Sequence, residues 1–179
     1  MMHDLIKPIA GILTSHIDEL DRILDALANH FGGTDIVSEW LLFDHTRYYE
    51  EEMGTCLKRC FVAFEKLAHP EEAKDYKTYG IEVESRFKDG NKRRVNIDPG
   101  YIDANKVVLI SGKHGGHKIA IAPGAYADML LWYNKGWEAF PWAFPDFRDK
   151  SLFPTFVKMR TAYKAQMKNI TQQVQAGSS

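Results

Sequence analysis

Residues 9–33 read IAGILTSHIDELDRILDALANHFGG, and they give the clearest indication of the fold. Its first part, Ile9–Thr14, is short, apolar and β-branched, which predicts a strand. Apolar residues at helical spacing follow, and Gly32-Gly33 is typical of a helix end. Ile36–Phe43 then predicts a second strand. Strand, helix and strand joined by short connections indicate a right-handed parallel crossover.

The next part of the chain predicts the same kind of unit a second time. Leu57–Leu67 predicts a third strand, antiparallel to the second. Pro70, followed by two glutamates, predicts the start of a second helix. Arg93–Ile97 predicts a fourth strand. The resulting order, β-α-β-β-α-β, is the split-βαβ, ferredoxin-like arrangement.

Further elements follow this core. Three more strands are predicted at Val107–Ile110, His117–Ile121 and Ala125–Tyr133, and a last helix at residues 151–166. We therefore expect a single α+β domain over residues 1–171. It has a ferredoxin-like core with extra C-terminal antiparallel strands and a C-terminal helix, and residues 172–179 form a flexible polar tail.

Composition narrows the possible functions. The chain has 179 residues and a formal net charge of −1, so general attraction to nucleic acid or to an anionic membrane is not expected. No apolar run is long enough to span a bilayer, and the first residues lack a signal-peptide pattern, so we expect a cytoplasmic protein. Cys56 and Cys60 do not form a disulfide framework, and both are expected to be buried. A homo-oligomer stays an open alternative.

The segment Arg93–Tyr101, RRVNIDPGY, is the first candidate for a ligand site. Alternation along the strand places Arg94, Asn96 and Asp98 on one face. Asp98-Pro99-Gly100 predicts a tight turn, because proline presets φ and glycine tolerates a positive φ. Two interpretations stay open for Asp98. It caps its own turn, or the turn aims Asp98 and Tyr101 into a cleft.

Two loops supply further candidates. Residues 44–54 hold Tyr48 and Tyr49, which are suited to wall a planar ligand, and Glu52, which would accept a proton or pair with Arg59. The alternative is a solvated charged face.

Residues 111–117, SGKHGGH, form a glycine-rich loop whose backbone and Lys113 are suited to an anion. It is not a P-loop, because position 107 is valine and no helix start follows. A solvated hairpin loop is the alternative. His117 is either a site residue or a core histidine.

Metal and aromatic patterns are less informative. No His-x-x-x-His or Cys-x-x-Cys spacing occurs, so neither a metal site nor a cofactor is predicted. Asp128 is expected to be partly buried, with Lys113 or Arg59 as its partner. The segment 137–147 contains five aromatic rings that either cover one sheet edge or form an exposed interaction patch. Asp146 within it is expected to cap the last helix or bind Arg148.

Several of these residues also carry a family resemblance. From about Lys7 to Tyr163 the chain resembles the prokaryotic domain-of-unknown-function 4416 family. The matching positions are Thr46, Tyr48-Tyr49, Glu52-Met53-Gly54, Asn96-x-Asp98-Pro99-Gly100-Tyr101, Lys113, His117 and Trp142-x-x-Pro145-Asp146-x-Arg148. The resemblance implies no established activity. Some members carry an automatic GTP-binding label, but this chain has neither a P-loop nor an Asn-Lys-x-Asp motif.

Three functional hypotheses follow. In the leading one, the protein binds a small anionic ligand such as a nucleotide or phosphorylated metabolite. Arg59, Lys113 and His117 then contact the anion, Tyr48 or Tyr49 stacks, and Asn96 and Asp98 fix the orientation. In the second, the protein is a small hydrolase or lyase with Asp98 or Glu52 as general base and His117 as acid. In the third, the aromatic segment 137–147 binds another protein.

Overall fold

The computed structural model describes residues 5–177. Within them the chain forms a mixed α+β fold with five α-helices and eleven strands. The helices are α1 (Leu20–Phe31), α2 (Glu50–Met53), α3 (Tyr76–Arg86), α4 (Pro145–Arg148) and α5 (Phe153–Gly177). The strands are β1 (Lys7–Thr14), β2 (Thr34–Val37), β3 (Leu41–Leu42), β4 (Lys58–Phe64), β5 (Lys88–Asp89), β6 (Lys92–Arg93), β7 (Val95–Ile102), β8 (Lys106–Ser111), β9 (Ile119–Ala122), β10 (Ala125–Tyr133) and β11 (Trp137–Ala139).

Nine of these strands form one antiparallel sheet in the order β11-β10-β8-β7-β1-β4-β2. Strand β3 also pairs with β4, and β9 also pairs with β10. Strands β5 and β6 form a separate small hairpin. Because β1 and β2 both run antiparallel to β4, they are parallel to each other with β4 between them. The predicted parallel relation of the first two strands is therefore confirmed.

Alternation along β1 shows how the sheet separates two cores. Ala10 and Ile12 pack with α1 and α3 on one face, whereas Ile9 packs with α4 and α5 on the other. Every residue of β1 is buried, as expected for the centre of a sheet covered on both faces. Among residues 5–177, no helix is both long and apolar enough to cross a bilayer.

Several predicted elements need correction. The predicted strand Ile36–Phe43 is split into β2 and β3. Strand β9 pairs with β10 alone, so the loop before it does not turn a hairpin from β8. The aromatic segment contains β11 and α4. The sheet is wider than a ferredoxin-like core, and its full strand order does not establish that topology.

The ends and the cysteines also differ from expectation. Helix α5 continues to Gly177, so residues 172–177 of the predicted tail are helical, while residues 178–179 lie outside the described part. Cys60 is buried as predicted. Cys56 is exposed, because the chain turns there with a φ of 59° between α2 and β4.

The largest correction concerns Asp98-Pro99-Gly100, which is not a turn. The three residues continue β7, and they pair in register with Gly11, Ala10 and Ile9 of β1. Gly100 is required there by a close approach and not by a turn. A Cβ on Gly100 would lie 2.0 Å from the carbonyl oxygen of Val108 on β8.

Candidate functional site

The candidate site lies where β7 and β8 separate. The two strands pair only over Gly100–Ile102 and Val107–Leu109. Before Gly100, β7 stays paired with β1, and beyond Leu109, β8 stays paired with β10. The two facing edges therefore diverge into a fork, in which backbone groups that would otherwise form a ladder need other partners.

Helix α3 supplies those partners through two side chains. Lys77 Nζ donates to the carbonyl oxygen of Ile97 (2.7 Å), and the Ile97 N–H donates to Glu84 Oε1 (2.7 Å). Since backbone groups two residues apart on a strand point the same way, Pro99 also faces the fork. Pro99 has no N–H, so it leaves no donor unsatisfied there. This explains a proline inside an interior strand.

Replacing Glu84 with alanine is expected to lower the free energy of unfolding by about 1–3 kcal/mol, because the buried Ile97 N–H would lose its acceptor. Glu84→Gln is the matched control, since its side-chain oxygen can still accept that bond. We therefore expect Glu84→Gln to cost clearly less in urea unfolding. Equal losses for the two variants would show that the charge of Glu84 matters and the hydrogen bond does not.

The fork opens into a cavity of about 480 Å³. Small-molecule sites commonly have about 300–1,000 Å³, so the size suits a compact metabolite. Residues from β6, β7, β8, β10, α3 and three loops line it. They are Tyr48, Tyr49, Lys77, Ile81, Glu84, Arg93, Asn96, Asp98, Leu109, Ile110, Ser111, Gly112, Lys113, Lys118, Asp128 and Phe144.

Five of the nine predicted site residues line this fork cavity, namely Tyr48, Tyr49, Asn96, Asp98 and Lys113. The other four do not. Arg59 is buried beneath the cavity, and Glu52 is held by Arg93 on its outer side. His117 lies against Trp142. Tyr101 lines two other cavities, of about 480 and 380 Å³, which contain none of the other eight residues.

A chain of ion pairs with alternating sign lies along the fork cavity. In order, its members are Asp146, Arg59, Asp98, Lys77, Glu84, Arg93 and Glu52. Asn96 bridges two of them, because it accepts from Arg93 Nη1 (3.0 Å) and donates to Asp98 Oδ2 (3.0 Å). The network fixes Asn96 and Asp98 on one face of β7, as predicted. Arg94, predicted beside them, contacts Glu19 instead.

Arg59 is the most deeply buried cation of this network. Its Nη1 donates to Asp146 Oδ2 (2.6 Å), and its Nη2 lies 3.5 Å from Asp98 Oδ2. The guanidinium also lies over the rings of Phe43 (4.5 Å) and Phe144 (5.6 Å). Asp146 was expected to cap the last helix or bind Arg148, so its pairing with Arg59 corrects that expectation.

Glu52 pairs with Arg93, and not with Arg59 as predicted. Arg93 Nε and Nη2 donate to its two carboxylate oxygens at 2.8 and 2.7 Å, a bidentate geometry. These hydrogen bonds hold the pKa of Glu52 below its ordinary value of 4.5. The same pairing raises the pKa of Arg93. Both side chains are thereby held as a charged pair near neutral pH.

This pairing predicts how Glu52 contributes to acid stability. Because the folded-state pKa of Glu52 is lowered, its contribution is present above about pH 4.5 and is lost as the pH falls through the lowered value. In Glu52→Gln, the deficit in unfolding free energy should be clear at about pH 7 and shrink towards about pH 3. Urea titrations at both values measure it, with the exposed Glu51→Gln as control. A deficit that does not change with pH would contradict the assignment.

Two lysines of the connection between β8 and β9, residues 112–118, face the fork cavity. Lys113 Nζ donates to the Tyr48 hydroxyl (3.1 Å) and lies over the Tyr48 ring (5.2 Å). Lys118 Nζ donates to Ser111 Oγ (3.0 Å) and lies 3.7 Å from Asp128 Oδ2. The loop is ordered by Ser111 Oγ, which also accepts from the Lys113 N–H (3.1 Å). Lys113 was predicted here and Lys118 was not.

Asp128 is buried as predicted, but with different partners. Its Oδ1 lies 3.5 Å from His117 Nε2, and Lys118 approaches its other oxygen. Lys113 and Arg59, the predicted partners, bind elsewhere. His117 also stacks on Trp142 (5.4 Å), which stacks on Phe140 (4.7 Å). His117 is thus placed beside the fork cavity and not on its wall.

The aromatic segment divides between core and surface. Trp137 and Phe147 are buried, whereas Trp142 and Phe144 are about two-fifths exposed, at 41% and 42%. Only Phe144 lines the fork cavity. Within residues 5–177, no group of three or more His, Cys, Asp or Glu side chains is placed to hold a metal ion.

Sequence reasoning missed four polar residues of the fork, namely Lys77, Glu84, Arg93 and Lys118. Lys77 and Glu84 are seven residues apart in α3, so they lie on one helical face, a spacing that is visible in the sequence. Without knowledge of the fork, this pair of charged residues is typical of a solvent-exposed helix face. Arg93 belongs to the segment that was singled out, but unbroken alternation along one strand pointed to its neighbour Arg94. The break between β6 and β7 shifts that alternation, so Arg93 takes the place of Arg94 in the site.

Comparisons with known proteins place the chain in a family. No curated protein and no solved structure shows significant similarity to it. A family described as Domain of unknown function (DUF4416) matches residues 4–163. The match covers most of the 179 residues and confirms the resemblance predicted from the sequence motifs. The chain therefore belongs to the DUF4416 family.

Proposed function

We propose that this protein binds a small anionic ligand, a nucleotide or another phosphorylated metabolite, in the fork cavity. The observation that carries the proposal is the position of Lys113 and Lys118, which bring two ammonium groups from one loop to the cavity wall. Ammonium groups in a partly enclosed, largely apolar cavity attract phosphate more strongly than lysines on an open surface do.

These two lysines are the least neutralised cations of the fork cavity. Lys77 and Arg93 each contact two carboxylates. Lys118 contacts one carboxylate, at 3.7 Å. Lys113 has no carboxylate within ion-pair distance among residues 5–177, and the one hydrogen bond of its ammonium group in that range is to the exposed Tyr48. A phosphate between the two lysines would supply the missing counter-charge.

The remaining predicted residues receive revised roles. Tyr48 and Tyr49 flank the entrance as aromatic walls, and Asn96 and Asp98 form its polar inner surface. Arg59 would act indirectly, because it holds Asp98 in place from below. His117 would likewise act through Asp128, which contacts Lys118. The proposal therefore keeps Lys113 as an anion-binding residue. Lys118 takes the place of Arg59 and His117 in that role.

A thermal-shift screen with phosphorylated compounds tests the proposal. The panel contains inorganic phosphate, pyrophosphate, ribose 5-phosphate and nucleoside monophosphates. A true ligand at about 100 times its Kd should raise Tm by about 5 °C or more. Lys113→Ala/Lys118→Ala should weaken binding about 100-fold, because two charge-assisted hydrogen bonds are lost.

The matched control is Lys158→Ala, an exposed lysine on α5 remote from the fork. It should leave both Tm and ligand binding unchanged. The proposal fails if no phosphorylated compound stabilises the protein. It also fails if the double lysine variant binds the ligand as tightly as the wild-type protein does.

We also infer a ferredoxin-like core and a cytoplasmic location. Four adjacent strands, in the order β7-β1-β4-β2, connect through α1 and α3 as a split βαβ unit does, which supports the first inference. The near-neutral composition and the absence of a long apolar segment in the sequence support the second.

A further inference from the structure

Besides the Asp128 carboxylate, which His117 and Lys118 approach, two side-chain groups on the wall of the fork cavity have no hydrogen-bond partner among residues 5–177. The first is Asp98 Oδ1. Asp98 Oδ2 accepts from Asn96 (3.0 Å) and lies near Arg59, whereas Oδ1 has only Lys77 Nζ at 3.9 Å, beyond hydrogen-bond length, as its recorded contact within the described residues. The Asp98 side chain is 24% exposed, so it remains accessible from the cavity.

The second group is the hydroxyl of Tyr49. Its ring is packed edge-on against Phe43 (6.1 Å) and Tyr48 (5.0 Å), and the hydroxyl forms no hydrogen bond within the described residues. Burial, and next the charge of Asp98, raise the pKa of Tyr49, so the hydroxyl keeps its proton and is a donor at neutral pH. One free donor and one free acceptor thus line the same cavity, and the charge of Asp98 acts on the Tyr49 hydroxyl.

The charges around Asp98 determine which group would satisfy its free oxygen. Arg59 and Lys77 both contact this carboxylate, and Arg93 reaches it through Asn96. Because Arg59 and Lys77 already balance the charge of Asp98, its free oxygen does not need a charged ligand group. A neutral N–H group is enough to donate to it. Ile81, Leu109 and Phe144 add apolar surface to the wall, which suits a flat ring.

We propose that the ligand is a phosphorylated compound with a planar heterocycle, the class to which nucleoside monophosphates belong. The ring places a neutral N–H against Asp98 Oδ1 and an adjacent acceptor against the Tyr49 hydroxyl. Its phosphate lies between Lys113 and Lys118. This inference rests on the proposed anion-binding function and specifies the second half of the same ligand.

The size of the charge also matches. A phosphate monoester carries about −1.5 to −2 charges at neutral pH, and two incompletely neutralised lysines meet that charge. Among the described residues that line the cavity, the other two cations, Lys77 and Arg93, are already paired with carboxylates, so further phosphates would find no free cation there. The cavity therefore favours a monophosphate over a di- or triphosphate.

Isothermal titration calorimetry on the full chain tests the inference with four probes: inorganic phosphate, ribose 5-phosphate, a nucleoside and the matching nucleoside monophosphate. The monophosphates of the four common bases are each measured, because each base has an N–H donor beside an acceptor. We expect at least one monophosphate to bind about 10-fold or more tightly than ribose 5-phosphate, from the added ring contacts and hydrogen bonds.

Tyr49→Phe is the decisive variant, because it removes a hydroxyl that supports no internal hydrogen bond and so should leave the fold intact. It should weaken monophosphate binding by roughly 3- to 10-fold and leave ribose 5-phosphate binding unchanged. Tyr133→Phe, on the far part of β10, is the matched control and should change neither affinity.

The outcomes separate this inference from the proposed function. Equal affinity of monophosphates and ribose 5-phosphate, with dependence on Lys113 and Lys118, would overturn the ring-binding inference and leave anion binding standing. So would monophosphate binding that Tyr49→Phe does not change. Tyr49-dependent binding of the nucleoside, with no gain from its phosphate, would overturn the anion function and retain the ring contact. No binding of any probe would overturn both.

Discussion

Gly100→Ala is expected to destabilise the protein by about 3 kcal/mol or more and to lower Tm by roughly 10 °C. A methyl group at this position would lie 2.0 Å from the Val108 carbonyl oxygen and 2.8 Å from the Leu109 Cα. Both are backbone atoms of a central strand, so no side-chain rotation relieves the overlap. The two strands would have to separate, and Gly100–Leu109 is their last pair before the fork.

Circular dichroism melting and urea unfolding measure this effect. Gly136→Ala is the control, because a Cβ there meets no atom within 4 Å and its φ is not positive. We expect that control to stay within about 0.5 kcal/mol of the wild type. If Gly100→Ala were equally harmless, β7 and β8 would not approach as closely as described, and the fork would lose its closed end.

The Asp98-Pro99-Gly100 segment shows where local sequence signals mislead. Asp-Pro-Gly predicts a turn because each residue favours turn geometry on its own. In the folded chain the same residues are constrained by the neighbouring strands. Pro99 faces the fork, where a missing N–H leaves no donor unsatisfied, and Gly100 has no side chain to overlap with β8. Neither constraint can be recognised until the neighbouring strands are known, so tertiary contacts override the local turn propensity.

Elements with a strong internal period were predictable. The apolar stripe of α1 and the continuous apolar run of β8 identified both elements from residues 20–31 and 107–110 alone. Half of the site was predictable for a similar reason. Asn96 and Asp98 share a face because strand side chains alternate, and Lys113 was marked by its glycine-rich loop.

Partners across the fold were not predictable. Asp146 and Arg59 are 87 residues apart, and Glu52 and Arg93 are 41 apart, so no local pattern pairs them. Each of these charged residues had several possible partners of opposite sign. The partner that each residue binds depends on the order of the strands in the sheet, and a single sequence does not reveal that order.

Arg59→Met is expected to destabilise the protein by about 3–5 kcal/mol, because it leaves a buried carboxylate without its cation. Asp146 is 5% exposed, and Arg59 Nη1 is its only side-chain donor among the described residues. Asp98 would suffer less, since Asn96 and Lys77 remain beside it. The energetic loss should therefore come mainly from Asp146, and urea unfolding of each variant measures it.

A double-mutant cycle isolates that contribution. Asp146→Leu alone should also be costly, because Arg59 would keep only its longer contact to Asp98, but Arg59→Met/Asp146→Leu removes both buried charges of the pair. We expect the double variant to lose at least about 2 kcal/mol less than the sum of the two single losses.

Arg59→Lys is the charge-conserving comparison. It keeps a cation but not the planar group between Phe43 and Phe144, so its loss should be intermediate. Additive single losses in the cycle would mean that Arg59 stabilises the fold through Asp98 and its ring contacts and not through Asp146. In that case the rings of Phe43 and Phe144, and not Asp146, would hold Arg59 beside Asp98 on the inner wall of the fork cavity.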